Sequence, residues 1–214
     1  MTTKVIIFDF DGTIADTVDA LVSIANSLAV EFGYGQITPE EFVILKSLTS
    51  REIFKYSGIP LFKIPFLLKK VKRELKNKIP ELKPIQGIPE ALIELKDNGS
   101  RLGIITSNSK GNVKEFLKIN NLDNLFEFVH PGVTIFGKTK IINNVLRQKQ
   151  IKTQEVLYVG DETRDIEASK KANVKVCSVT WGFNSQEALI KENPDFLIHH
   201  PRELVEIVKN GNWA

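Results

Sequence analysis

Two carboxylates stand one residue apart in the run DFDGT: Asp9 and Asp11 flank Phe10, and Gly12-Thr13 follow. A second acidic pair, Asp161 and Asp165, falls in GDETRD. Between these runs come Thr106-Ser107-Asn108 and a lysine, Lys138, that follows Gly137. Residues two apart on a strand project to the same side, so Asp9 and Asp11 can face one pocket. If the second pair joins them, each pair of charges at about 5 Å repels by roughly 3 kcal/mol at an effective dielectric near 20. One lysine leaves such a cluster strongly negative, and a divalent cation brings it close to neutral. Carboxylate and carbonyl oxygens suit a hard cation, which points to magnesium. A pocket with magnesium, a lysine, a threonine hydroxyl and backbone amides at helix starts suits a phosphoryl group.

These residues must be positioned by a sheet edge, because each follows a strand-like run. Short, almost continuously apolar runs occur at 5–8, 102–106, 127–130, 156–160, 174–180 and 196–199. Such runs suit a parallel sheet covered on both faces. Between them lie helical patterns, such as Ile88, Leu92 and Leu95 in GIPEALIELKDNG and Ile141, Ile142, Val145 and Leu146 in KTKIINNVLRQKQ. The alternation predicts a doubly wound parallel α/β domain. Its strand ends gather the polar groups at one edge, where open α/β sheets bind ligands.

One region breaks the alternation. Residues 17–78 contain no convincing strand. VDALVSIANSLAVEFG places Val18, Leu21, Val22, Ala25, Leu28, Ala29 and Phe32 on one stripe and stops at Gly33. SREIFKYSG predicts a short helix with Ser50 as its N-cap and Gly58 at its end. In LFKIPFLLKKVKRELKNKI, the residues Ile64, Leu68, Val71 and Leu75 share a face. The proline-rich stretch 79–90 reads as a return linker. The expected division is a core of 1–15 and 85–214, with an all-helical insert of 16–84 lying over the strand ends.

The bulk numbers exclude several classes. At 214 residues, with 42% hydrophobic and 26% charged content, the chain suits a soluble globular protein. A net charge of +3 does not suggest a nucleic-acid partner. No apolar run approaches the length of a membrane helix, and the N-terminal run lacks the pattern of a signal peptide. A single cysteine, Cys177, rules out an intrachain disulfide and predicts a reducing, cytoplasmic setting.

DFDGTIAD, IITSN, the isolated Lys138 and GDETRD together resemble the four motifs of the haloacid dehalogenase-like phosphatase superfamily. The helical insert resembles that family's cap of the first type, and the chain is most similar to its phosphoglycolate phosphatase group. The resemblance implies a Rossmann-like core and hydrolysis of a small phosphate monoester. In those terms Asp9 is the nucleophile that becomes an aspartyl phosphate. Asp11 is the general acid and then the base. Thr106, Ser107, Asn108 and Lys138 hold the phosphoryl group. Magnesium is held by Asp9, the backbone carbonyl of Asp11, Asp161 and Asp165. The expected partner is a small phosphorylated metabolite, and the expected assembly is a monomer or homodimer.

Other readings stay open. A phosphosugar mutase shares these motifs and this cap, and receiver-type phospho-acceptor modules gather similar groups without a helical insert. Lys140 competes with Lys138 for the lysine role. The chain reads Gly137-Lys138-Thr139 where many relatives have a proline after the lysine, which bears on substrate rather than chemistry. Arg51 and Thr13 are the expected substrate contacts. The basic run Lys69, Lys70, Lys72, Arg73, Lys76 and Lys78 reads as a solvated helix face, and Trp181-Gly182-Phe183 as packing. His130, His199 and His200 show no metal spacing.

Overall fold

The first apolar run forms strand β1, Val5–Phe8, and every one of its side chains is buried. The same holds for β4, Val156–Gly160. Strands buried on both faces belong inside a sheet with helices on either side. Around them lie β2 (Arg101–Ile105), β3 (Phe126–His130), β5 (Lys175–Val179) and β6 (Phe196–Ile198). This computed structural model describes residues 4–131 and 137–211, so the ends of the expected core range and 132–136 lie outside the described residues. Among the described residues, six strands form one parallel sheet in the order β3-β2-β1-β4-β5-β6.

Four helices fall between β1 and the return to the sheet: α1 (Val18–Phe32), α2 (Pro39–Lys46), α3 (Ser50–Ser57) and α4 (Ile64–Lys78). The crossovers then carry α5 (Ile88–Asp97), α6 (Lys110–Ile119), α7 (Lys138–Gln148), α8 (Thr163–Lys171) and α9 (Gln186–Lys191). Helix α10 (Pro201–Asn210) follows β6. Alternate residues of β1 enter different cores: Ile6 and Phe8 pack with Leu92 of α5 and Phe116 of α6, whereas Val5 and Ile7 pack with Ile142 of α7 and Ala168 of α8. This is the doubly wound α/β layering that the apolar runs predict.

The strand order sets the place of the site. From β1 the chain winds through β2 to β3 on one side. It then crosses to β4 and winds outward on the other. The winding direction therefore reverses between β1 and β4, and the crevice beyond their carboxyl ends is where such sheets bind ligands. Phe8 is in register with both Ile104 and Val159. The next residue is locked too, since Asp9 N donates to Val159 O at 2.8 Å.

The helical insert leaves and rejoins the core through paired backbone. Ala15 bridges Pro84. Asp16 N donates to Lys83 O at 3.0 Å, and Ile85 N to Ile14 O at 2.9 Å. Helix α1 packs on α4, and Ile24, Leu28 and Phe32 share a core with Ile64, Leu67 and Leu75.

Two local expectations are corrected. The N-cap of α3 is Thr49, not Ser50. A capping box needs a glutamate three residues after the cap, and Glu52 stands in that relation to Thr49. The α1 stripe also divides. Leu28, Ala29 and Phe32 are core, together with the unpredicted Ile24, while Val18, Leu21, Val22 and Ala25 are half-buried and line a cavity. Leu68 and Val71 of α4 line the same cavity, and Leu67 is buried in their stead. A helix that roofs a cavity has two apolar faces, and periodicity alone does not separate them.

Candidate active site

Strand β1 delivers Asp9 to the switch point, where it is 1% exposed. Asp9 Oδ1 accepts from Phe10 N at 2.7 Å, and Oδ2 accepts from Lys138 Nζ at 2.7 Å. Lys138 opens α7, is itself buried, and also pairs with Asp165. The Tyr158 ring lies 5.4 Å from its ammonium. Burial works against the lysine's charge, but Asp165 and Asp9 together outweigh it and hold its pKa well above the ordinary value. Lys140, the competing lysine, is exposed, whereas Lys138 is buried against Asp9.

Asp161 lies beyond β4 and is braced from two sides. Thr13 Oγ1 donates to its Oδ1 at 2.7 Å, and Phe183 N donates to its Oδ2 at 2.8 Å. Two glycines make room for it. A Cβ on Gly12, whose φ is +72°, or on Gly182 would lie 2.3 Å from Asp161 Oδ2. The loop read as packing therefore shapes an acidic site. Its Trp181 adds a bond from Nε1 to Thr13 O at 3.2 Å.

Asp165 caps the turn into α8 by accepting from Glu162 N at 3.1 Å. Asp9, Asp161 and Asp165 each offer a carboxylate oxygen, and these oxygens all lie within 4.8 Å of one another. Burial, then the neighbouring acids Glu162, Asp165 and Asp9, push Asp161 well above the usual carboxylate range. Burial also raises Asp165, to about 6, against the pull of Lys138. Three buried carboxylates whose oxygens converge form a set that fits a hard divalent cation.

The carboxylate of Asp11 stands outside that trio. Asn108 Nδ2 donates to both of its oxygens, at 3.0 and 3.1 Å. Burial and the charge of Asp9 raise its pKa to about 7, although the bonds from Asn108 and Thr17 favour the anion. Thr106 is fully buried, and its Oγ1 accepts from Asn108 N at 3.0 Å. The cap of α6 is Ser109, which leaves Thr106, Ser107 and Asn108 for other duties.

A cavity of about 290 Å³ opens above Asp11, between the sheet edge and helices α1, α3 and α4. Asp11, Ser107, Asn108 and Asp161 line it from the core. Thr13 and Arg51, the expected substrate contacts, are not among its lining residues. The Thr13 hydroxyl is turned onto Asp161. Arg51 is exposed, lies 3.9 Å from Glu167 and lines a separate surface groove.

The cations that do line the cavity are Lys72 and Arg164. Lys72 corrects the reading of the basic run: it is half-buried and faces the cavity, and burial lowers its pKa. Arg164 pairs with Glu162, sits 3.9 Å from Asp9 Oδ2, and keeps a buried Nε with no hydrogen-bond partner. Its position inside GDETRD is the available signal, because a residue that lies between two buried acids in the chain can be drawn in with them.

Asparagines hold the insert against the core by its backbone. Asn112 Nδ2 donates to Lys72 O at 3.0 Å. Asn184 Nδ2 donates to Lys46 O at 2.9 Å and Leu48 O at 3.0 Å, and Ser185 N donates to Lys46 O at 2.8 Å. Ser50, freed from capping, lies 3.3 Å from Glu162.

Comparisons with known proteins agree with this architecture. Residues 6–179 match the model of the haloacid dehalogenase-like hydrolase family. The chain is 36% identical over 205 residues to a phosphoglycolate phosphatase of Synechococcus elongatus, covering 96% of this chain and 97% of that protein. It is 25% identical over 219 residues to the pyrophosphatase PpaX of Bacillus thuringiensis, covering 99% of each. A haloacid dehalogenase-like hydrolase of Streptococcus pneumoniae shares the fold, with a TM-score of 0.78 at 21% identity over 97% of this chain and 99% of that one. With the motifs in order, the acids at the sheet's switch point and a match that runs from β1 into β5, the chain belongs to the haloacid dehalogenase-like hydrolase family.

Proposed function

We propose that this enzyme is a magnesium-dependent phosphatase that hydrolyses a small phosphate monoester through an aspartyl phosphate on Asp9. The observation that carries the reading is the buried Lys138, held between Asp9 and Asp165 within a cluster of three carboxylates. A lysine with that pairing orients one carboxylate and offers its remaining charge to phosphoryl oxygens.

Each residue then has a task. Asp9 attacks phosphorus, and the leaving oxygen takes a proton from Asp11. Asp11 next removes a proton from the water that cleaves the acyl phosphate. Thr106 and Ser107 hydroxyls, Lys138 and the buried, unpartnered Nε of Arg164 supply donors to phosphoryl oxygens. Asn108 holds Asp11 and so serves the phosphoryl pocket indirectly. Asp9, Asp161 and Asp165, with the Asp11 backbone carbonyl, are the groups that would hold magnesium. When bound, the ion offsets the charge of the phosphoryl oxygens as they approach the acids. The insert of 16–84 acts as the cap that encloses the leaving group. The single, free Cys177 supports a cytoplasmic setting.

The test is phosphate release from a panel containing phosphoglycolate, p-nitrophenyl phosphate, inorganic pyrophosphate and hexose 1-phosphates, with magnesium present. Release from monoesters supports the reading. Isomer exchange of a hexose phosphate without release would replace it with the mutase reading.

A further inference from the structure

We propose that the cavity above Asp11 is a leaving-group chamber selective for hydrocarbon, and that the natural ester carries an alkyl or aryl group rather than a small polyanionic one. This rests on the phosphatase reading and names its substrate class. The chamber has one polar end, formed by Asp11, Lys72, Arg164 and Asn108. Ser50, Ser107, Asp161 and Glu162 add polar groups, and the larger part of the wall is aliphatic or aromatic, including Leu21, Val22, Ala25, Ile37, Ile53 and Phe54.

The leaving oxygen of a phosphoryl group seated at Asp9 must lie within reach of Asp11. Whatever that oxygen carries therefore projects among these walls. At about 30 Å³ per water-sized group, 290 Å³ accommodates about ten non-hydrogen atoms. Glycolate fills about half of that space. The second phosphate of pyrophosphate would enter it as a multiply charged group facing mostly hydrocarbon, which is costly without donors to match. Of the two lining cations, Arg164 is engaged by Glu162, and its remaining Nε serves the transferring phosphoryl group. Lys72 offers one charge, at the Asp11 end.

The far wall is a partition. Ala25, Ile37, Leu45, Ile53 and Phe54 also line a second cavity, of about 340 Å³, inside the insert. The first chamber therefore sets a length limit that side chains in this wall control.

The experiment measures kcat/KM of the full chain with magnesium on n-alkyl phosphates from methyl to decyl, beside phosphoglycolate and pyrophosphate. It also measures Kd of the matching n-alkylphosphonates by calorimetry. Burial of each methylene predicts that kcat/KM rises about fourfold and Kd falls about fourfold until the chamber fills. Hexyl phosphate is expected to exceed phosphoglycolate and pyrophosphate. Ala25→Leu should shorten the best chain, and Phe54→Ala should lengthen it. Phosphonate Kd values that stay flat or rise with chain length overturn the chamber, as does a preference for either small anion. Absence of phosphate release alongside a phosphonate affinity that rises with chain length would instead overturn the phosphatase reading and leave the chamber standing.

Discussion

Asn108 grips Asp11 by both carboxylate oxygens, with Nδ2 3.0 Å from Oδ1 and 3.1 Å from Oδ2. Its own Oδ1 accepts from Ser109 N at 2.7 Å and from Asn112 Nδ2 at 2.9 Å. The amide is thereby fixed in one orientation, and it fixes the acid beside Asp9.

A pH dependence follows from that pairing. Asp11, raised to about 7 by burial and by Asp9, donates a proton only while protonated. The rate on alkyl phosphates should therefore fall as pH rises through about 7. Asn108→Ala removes a bond that favours the anion, so the falling limb should move to higher pH. Asp11→Asn should lower turnover of alkyl esters by about 100-fold or more and erase the limb. Profiles of kcat/KM against pH check all three.

Asp9→Asn should reduce turnover to background in the phosphate-release assay while the far-ultraviolet circular dichroism stays that of the parent. Wild-type-like activity would remove Asp9 from the nucleophile's role. The substitution keeps the size of the side chain, so loss of activity with a retained fold speaks to chemistry.

Lys138→Met leaves Asp9 and Asp165 buried without their cation. Breaking a buried ion pair from one side costs about 3–5 kcal/mol. The urea midpoint should drop accordingly, and phosphate release should fall by about 100-fold or more. Unchanged stability would mean that Lys138 is not the counter-charge of the acidic cluster.

Gly182→Ala drives a methyl group to 2.3 Å from Asp161 Oδ2. Asp161 must move, and magnesium affinity should weaken by about 10–100-fold, as when a supporting group is lost. The checks are magnesium titrations of activity and of the metal-dependent rise in Tm. Chelation of the parent enzyme should abolish both.

Much of the site was legible in the sequence because its parts are local. Continuous apolar runs announce buried parallel strands, and the motifs of Asp9, Thr106 and Asp161 directly follow strand ends, so topology gathers them without further information. Lys72 was not legible, since a lysine on an amphipathic helix looks solvated unless the cavity below the helix is known. Thr13 presents the mirror case. Its position beside DxD suggested substrate contact, but the hydroxyl turns to Asp161 across a span of sequence that no local pattern reveals. The same distance hides Asn112 and Asn184, whose partners are backbone carbonyls and leave no trace in residue type.

Those carbonyl partners bear on how such an enzyme changes over evolutionary time. Asn112 and Asn184 hold Lys72, Lys46 and Leu48 by main-chain oxygens, which every amino acid possesses. Replacement of the side chains at those three positions leaves the grip chemically intact. Mutation can therefore explore new pocket linings, Lys72 among them, while the lid keeps its seat. A lineage built this way is able to acquire new substrates one substitution at a time, without passing through a form whose two halves no longer meet.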